Sequence, residues 1–194
     1  MSDLADQKLI EEARRILADV TPLDFDCGTL CGHKCCTDVS ADPDVELGVY
    51  LIPGELPLFE GNEDWLTWTF HSVKDYEFAP AWERHGQIPF MVCQKLCRRE
   101  KRPFECRTYP LQPYLHGDGR LQMRYAPWAE GFCPLTERYQ VDQLRPEFVA
   151  AAQRAWSVLL QDPEMRDHIA WLTEQIKAWD ELPHTACEDD PDER

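Results

Sequence analysis

Eight of the nine cysteines of this 194-residue chain fall into two compact groups. Cys27, Cys31, Cys35 and Cys36 make the first; Cys93, Cys97 and Cys106 make the second, with Cys133 downstream. Thiols packed this closely suit a bound soft metal, because each thiolate needs a counter-cation and the interleaved Gly28 and Gly32 let the backbone fold tightly around it. A tetrahedral zinc site takes four soft donors, and a cubane iron–sulfur cluster takes one thiolate per iron. Eight cysteines therefore exceed a single site of either sort and point to two sites or one multinuclear centre. Cys35 and Cys36 are consecutive, so their side chains are expected to diverge, serving different metals or bridging two, unless one packs as a small buried hydrophobe. His33 lies inside the cluster; a hydrogen-bonding role suits it as well as ligation, and it is not counted as a ligand.

The spacing excludes several familiar classes. The pattern Cys27-x3-Cys31-x3-Cys35-Cys36 and Cys93-x3-Cys97-x8-Cys106 contains neither of the Cys-x2-Cys knuckles of a zinc ribbon. Lys34 stands where a radical S-adenosylmethionine enzyme would carry its third cysteine, and the Cys-x2-Cys of thioredoxin-like redox chemistry is absent. No serine nucleophile elbow, His-Glu-x-x-His helix or glycine-rich phosphate loop occurs. Carboxylates are too abundant in so acidic a chain for any pair to mark an acid–base site. The basic run Arg98, Arg99, Lys101, Arg102 is expected to be a solvated charge run, the alternative being cations that lower thiol pKa values or meet an anionic ligand.

The elements that must position these thiols read as an α+β fold. It is a small, irregular, metal-stabilised cysteine-cluster domain with short strands or a hairpin, an N-terminal helix and a C-terminal helical hairpin. Leu9, Ile10, Ala13, Ile16, Leu17 and Val20 recur at helical spacing after the caps Ser2 and Asp3, giving a helix over 3–20 that Pro22 stops. The cysteine-rich core spans 24–135. Its first cluster is expected to be a knuckle-like loop with one helical turn, since two glycines make a continuous helix costly. Residues 38–92 are rich in glycine and proline and read as irregular structure with brief strands. Trp65 to Phe70 is the best strand there, its aromatics packing in the core. Thr108–Leu115 and Leu121–Tyr125 flank Gly117-Asp118-Gly119, a hairpin turn.

Further on, Pro146 and Pro163 suit first helical turns, the second after the cap Asp162, so helices are expected over 146–161 and 163–181. Phe148, Ala151, Ala152, Ala155, Val158 and Leu159 form one apolar stripe, and Met165, Ile169, Leu172, Ile176 and Trp179 another. His168 beside that second stripe reads as a satisfied boundary histidine. Residues 1–182 are expected to form a single domain, followed by a disordered acidic tail, 183–194, that holds the bystander Cys187.

The stretch from Cys97 to Pro110, with Arg102-Pro103-Phe104-Glu105-Cys106-Arg107-Thr108-Tyr109-Pro110 at its end, resembles the Cys…Arg-Pro-x2-Cys-Arg-x-Tyr-Pro signature of the YkgJ-like cysteine-cluster family. The upstream Cys35-Cys36 pair adds to the likeness, which covers roughly residues 27–135. Members of that family are described as zinc- or iron-chelating, and flagellin lysine methylases carry a related cluster. The resemblance implies that Cys27, Cys31, Cys35, Cys36, Cys93, Cys97, Cys106 and Cys133 are the metal-site cysteines. The chain departs from the family in the looser spacing of its first cluster and in a Cys97–Cys106 interval one residue short. Arg102-Pro103 would stiffen the approach to Cys106, Arg107 would pair with a carboxylate or lie near anionic sulfur, and Tyr109 and Pro110 would pack.

A formal net charge of −16 would repel a phosphate backbone, so nucleic acid and anionic membrane are not expected partners. The opening residues lack the basic start and apolar stretch of a secretory signal, and no segment approaches membrane-spanning length, so a cytoplasmic protein is expected. In that reducing compartment clustered cysteines serve as metal ligands or redox groups more often than as disulfides. Three functions fit: an intracellular metal-binding protein holding zinc or iron; an iron–sulfur-dependent enzyme related to flagellin lysine methylases; and a metal-ordered acidic module that docks a basic protein.

Overall fold

The computed structural model describes residues 3–37, 48–59 and 64–182. The cap at Ser2 and the tail with Cys187 lie outside the described residues. In chain order the elements are α1 (Asp3–Ile16), α2 (Lys34–Thr37), β1 (Gly48–Tyr50), β2 (Leu66–Ser72), β3 (Gln87–Cys93), α3 (Phe104–Thr108), β4 (Leu111–Leu115), β5 (Leu121–Tyr125), α4 (Pro134–Arg138), α5 (Pro146–Leu159) and α6 (Pro163–Asp180). The fold is α+β, with short 3-10 turns between many of these elements.

The stripe of α1 buries Ile10, Ala13 and Leu17 completely or nearly so. The helix ends earlier than its apolar periodicity suggests, because Leu17 and Ala18 donate to the carbonyls of Arg14 and Arg15, tightening the chain into three-residue turns before Pro22. Asp3, expected as a cap, is already the first helical residue.

The brief strands expected within residues 38–92 are present and form an antiparallel sheet in the order β1-β3-β2. Met91 at its centre opposes Val49 on one side and Trp68 on the other. The expectation that the β2 aromatics pack in the core fails at Phe70, which is 51% exposed. Alternation puts Leu66, Trp68 and Phe70 on one face. Only the Leu66 end of that face is covered, by a small core of Leu51, Phe59, Trp65 and Met91.

The hairpin forms as the Asp-Gly step predicts, with Leu111 opposite Tyr125 and Leu115 opposite Leu121. Gly119 supplies the positive φ of 84° that closes the turn. Thr108 belongs to α3 rather than to the hairpin.

Helices α5 and α6 start at their prolines, and the Asp162 side chain caps α6 by accepting from the amides of Glu164 and Met165. The two do not pair along their lengths as a helical hairpin. Instead α5 lies along α1, and α6 lies across β4. Ala151, Ala152 and Ala155 explain the first choice, since small side chains allow α1 to approach closely. One apolar core joins these three helices to the β4–β5 hairpin and reaches Ile52, Trp82 and Ile88. Among the described residues no helix is long and apolar enough to cross a membrane.

Candidate metal centre

Four separate stretches of chain deliver the eight cysteines. Cys27 opens a 3-10 turn, Cys27–Leu30, capped by Asp26 through a 3.0 Å bond from the Gly28 amide. Gly32 and His33 then adopt left-handed φ values of 63° and 61°, turning the chain back so that the His33 amide donates to the Gly28 carbonyl at 2.8 Å. That reversal launches α2, which carries Cys35 and Cys36. The knuckle with one helical turn expected for this cluster is therefore present.

Gly28 also admits the His33 ring, for a Cβ at residue 28 would lie 2.1 Å from His33 Nδ1. Gly28→Ala is accordingly expected to displace the ring, destabilise the protein by about 1–3 kcal/mol and reduce metal loading. Thermal melts with metal analysis on the same sample check both effects.

The remaining thiols arrive on the sheet and its connections. Cys93 ends β3, Cys97 follows in the loop, Cys106 sits in α3, and Cys133 precedes α4 with its amide bonded to the Ala129 carbonyl at 2.8 Å. Pro103 is the N-cap of α3. Phe104, completely buried, anchors that short helix edge-on against Trp156. The Phe104 amide donates to Glu55 Oε1 at 2.7 Å, and Arg14 Nη1 donates to the same oxygen at 2.6 Å, so the segment bearing Cys106 is latched to α1.

Early and late thiols meet. All eight are free, and they sort into two neighbouring groups. Cys27, Cys31 and Cys133 interact with one another, while Cys36, Cys93, Cys97 and Cys106 make up the second set. Cys35 stands at the junction: its Sγ is 3.9 Å from Cys36 Sγ, and it lines the cavities beside both groups. The expected divergence of Cys35 and Cys36 does not occur. Successive residues of a helical turn are rotated by only about 100°, and their sulfurs remain in contact. Among the described residues no three Cys, His, Asp or Glu side chains stand close enough together to chelate one ion.

The surroundings raise the pKa of Cys27, Cys36, Cys93, Cys97, Cys106 and Cys133. Burial pushes Cys27 and Cys93 up to about 11, and the hydrogen bond with Cys35 pushes Cys36 up to about 12. Cys97 is raised by its bond with Cys36 and then by burial; Cys106 is raised by burial and by neighbouring sulfur. Such crowded, half-buried thiols become thiolates only with positive charge in their midst.

The basic run divides around this centre. Arg98 is solvated as expected, but Arg102 turns inward, hydrogen-bonding to Cys97. Burial opposes the charge on Arg102, yet Cys97, Cys36 and Asp26 outweigh it and hold the guanidinium above its usual pKa. Among the described residues Arg107 makes no hydrogen bond to a carboxylate or to sulfur. Its nitrogens bond instead to the carbonyls of Arg102, Glu100 and Arg14, a planar fork tying the loop to α1.

Two buried donors test whether a metal–sulfur group fits. Tyr109 Oη and Arg102 Nε are shut off from solvent and have no hydrogen-bond partner among the described residues. The Tyr109 hydroxyl faces Cys133, Cys35, Cys31 and Cys106, which also raise its pKa after burial. A thiol is a poor acceptor, whereas a metal-bound thiolate or sulfide accepts well, so both orphaned donors suit an anionic sulfur centre. A cavity of about 50 Å³ lies against Cys27, Cys31, Cys35, Cys106 and Cys133, room enough for an ion. The residue types present suit such a group, while among the described residues the sulfurs as placed are not gathered within chelating distance of one point.

One residue singled out in the sequence is more deeply buried than expected, and another gave no signal there. His168 is buried with a carboxylate at hand: Nε2 lies 3.1 Å from Glu105 Oε1, and the ring stacks on Trp82. Glu55 is a fully buried carboxyl at the heart of the fold. No protein-family model matches the chain, and neither does any curated protein or solved structure.

Proposed function

We propose that this chain is a metal-binding protein whose eight clustered cysteines hold metal on two adjacent thiolate groups. The observation that carries this reading is the convergence of sulfurs from four stretches of chain around Arg102 and Tyr109, whose orphaned donors match anionic sulfur. Cys36, Cys93, Cys97 and Cys106 would hold one metal, and Cys27, Cys31 and Cys133, completed by Cys35, the other. When bound, the metal supplies the positive charge that makes the thiolates stable and joins the knuckle, β3, α3 and α4 into one unit. The chain's own residues place the sulfurs, donate hydrogen bonds to them and offset surplus negative charge. Four-thiolate groups with no fifth protein donor favour zinc in a structural role. The likeness to the YkgJ-like family's Cys-Arg-x-Tyr-Pro motif supports the same assignment.

One observation favours a second reading, an iron–sulfur-dependent enzyme: the Cys36 group opens onto a cavity much larger than an ion. Elemental analysis and an absorption spectrum of anaerobically purified protein separate the two. About two zinc ions per chain and no visible band support the first reading; iron, acid-labile sulfide and a charge-transfer band support the second. Protein purified with neither metal, and unable to take up either, would overturn both.

A further inference from the structure

The large cavity beside the second thiol group measures about 330 Å³, a size met among small-molecule sites. One wall is sulfur, from Cys36, Cys93, Cys97 and Cys106; the opposite walls are largely apolar, including Val49, Met91, Leu111, Phe132 and Leu172. The charged groups and the Tyr109 hydroxyl have neighbours of their own: Arg102 faces Cys97, Tyr109 faces the sulfurs of Cys133, Cys35, Cys31 and Cys106, and Glu105 faces His168. Two further polar side chains of the wall are neutral and deeply buried. Gln112 is 4% exposed and Trp156 is 1% exposed, and both belong to the cavity wall. Gln112 Nε2 donates to the Leu172 carbonyl at 3.4 Å; among the described residues Gln112 Oε1 is left an acceptor with no donor and Trp156 Nε1 a donor with no acceptor.

Buried polar atoms without partners are rare in folded proteins and carry a free-energy cost that an occupant can recover. Besides the Tyr109 and Arg102 donors beside the sulfurs, the missing partners are complementary, one donor from Trp156 and one acceptor from Gln112, on a largely apolar wall. The terminal torsion of a glutamine is broad, so a small turn brings Oε1 to the cavity face. A carboxylate would offer no donor to Gln112 and would be repelled by an anionic sulfur wall. A hydrocarbon would leave both atoms orphaned.

We infer that this cavity binds a compact, neutral, mostly apolar molecule carrying an amide-like group, seated with its apolar body on the aromatic and aliphatic walls and its flank against the sulfur centre. The inference rests on the metal-centre reading for the character of the sulfur wall, but not for the cavity itself.

Benzamide is the probe, with benzoate and ethylbenzene as comparators of similar shape, titrated into full-length protein by calorimetry while metal content is measured on the same sample. Saturable binding of one benzamide per chain is expected, at least about tenfold tighter than either comparator, and Gln112→Leu should remove most of that preference. Val49→Phe, at the half-buried edge of the chamber, should abolish binding of benzamide and ethylbenzene alike while metal content is retained. Fully metal-loaded protein that binds none of the three, or binds benzamide and ethylbenzene equally, overturns the cavity assignment and leaves the metal centre standing. Benzamide binding to protein that takes up no metal would leave the cavity standing and remove the metal centre.

Discussion

Cys106→Ser is expected to lower metal content and melting temperature together, by about one metal equivalent and about 6–12 °C. The figure follows from the role of the residue. Cys106 is the half-buried member of the second thiol group that neighbours Cys93, Cys36 and Cys97 together. A structural zinc site contributes on the order of 10 kcal/mol or more to folding. Weakening one of four ligands should remove about 3 kcal/mol of that, and each kcal/mol shifts the midpoint of a chain this long by about 2–4 °C. Serine is nearly isosteric with cysteine, and α3 keeps its own anchors at Phe104 and Glu55, so the variant isolates coordination from packing. Cys31→Ser should act in the same direction through the first group. Cys35→Ser, at the exposed junction, should cost less. Wild-type metal content in both the Cys31 and Cys106 variants would remove the assignment.

The thiols were legible in the sequence because coordination chemistry is written in residue type and local spacing. Their division into groups was not, since it depends on how Cys133 folds back onto Cys27 and how β3 brings Cys93 beside Cys97 and Cys106. The hairpin at Asp118-Gly119 and the Asp162 cap were legible for the same local reason: turn and cap chemistry act within a few residues. Partner choice among elements is a different matter. The apolar stripes of α5 and α6 showed which faces are buried, but the same stripes would serve a helical hairpin; only the alanines of α5 and the position of β4 direct them elsewhere. Arg102 illustrates the limit most sharply. In the sequence it is one of four basic residues in a run, and only the turn at residues 99–101 points it inward while Arg98 stays in solvent.

Glu55 was invisible for a related reason, being one of 36 acidic residues, yet it carries the second large effect. Arg14→Ala is expected to destabilise the protein by about 3–5 kcal/mol near neutral pH, because it leaves a buried carboxylate without its cation. Burial already holds the Glu55 carboxyl above its ordinary pKa, and Glu105 adds to that, while Arg14 and the Phe104 amide pull it down. Cys106 and Arg107 also feel its charge. A carboxyl whose pKa is raised on folding binds its proton more tightly in the folded chain, so it favours folding at low pH and loses that contribution as pH rises through the folded value. Removing Arg14 raises the folded value further. The penalty should therefore be larger at about pH 8 than at about pH 5, measured as the difference between variant and wild type in chemical denaturation. Glu55→Gln in the Arg14→Ala background keeps an acceptor for the Phe104 amide and discards the charge. It should restore part of the stability and flatten the pH dependence, whereas an equal loss at both pH values, with no rescue by the amide, would show that Arg14 acts through packing on Phe59 instead.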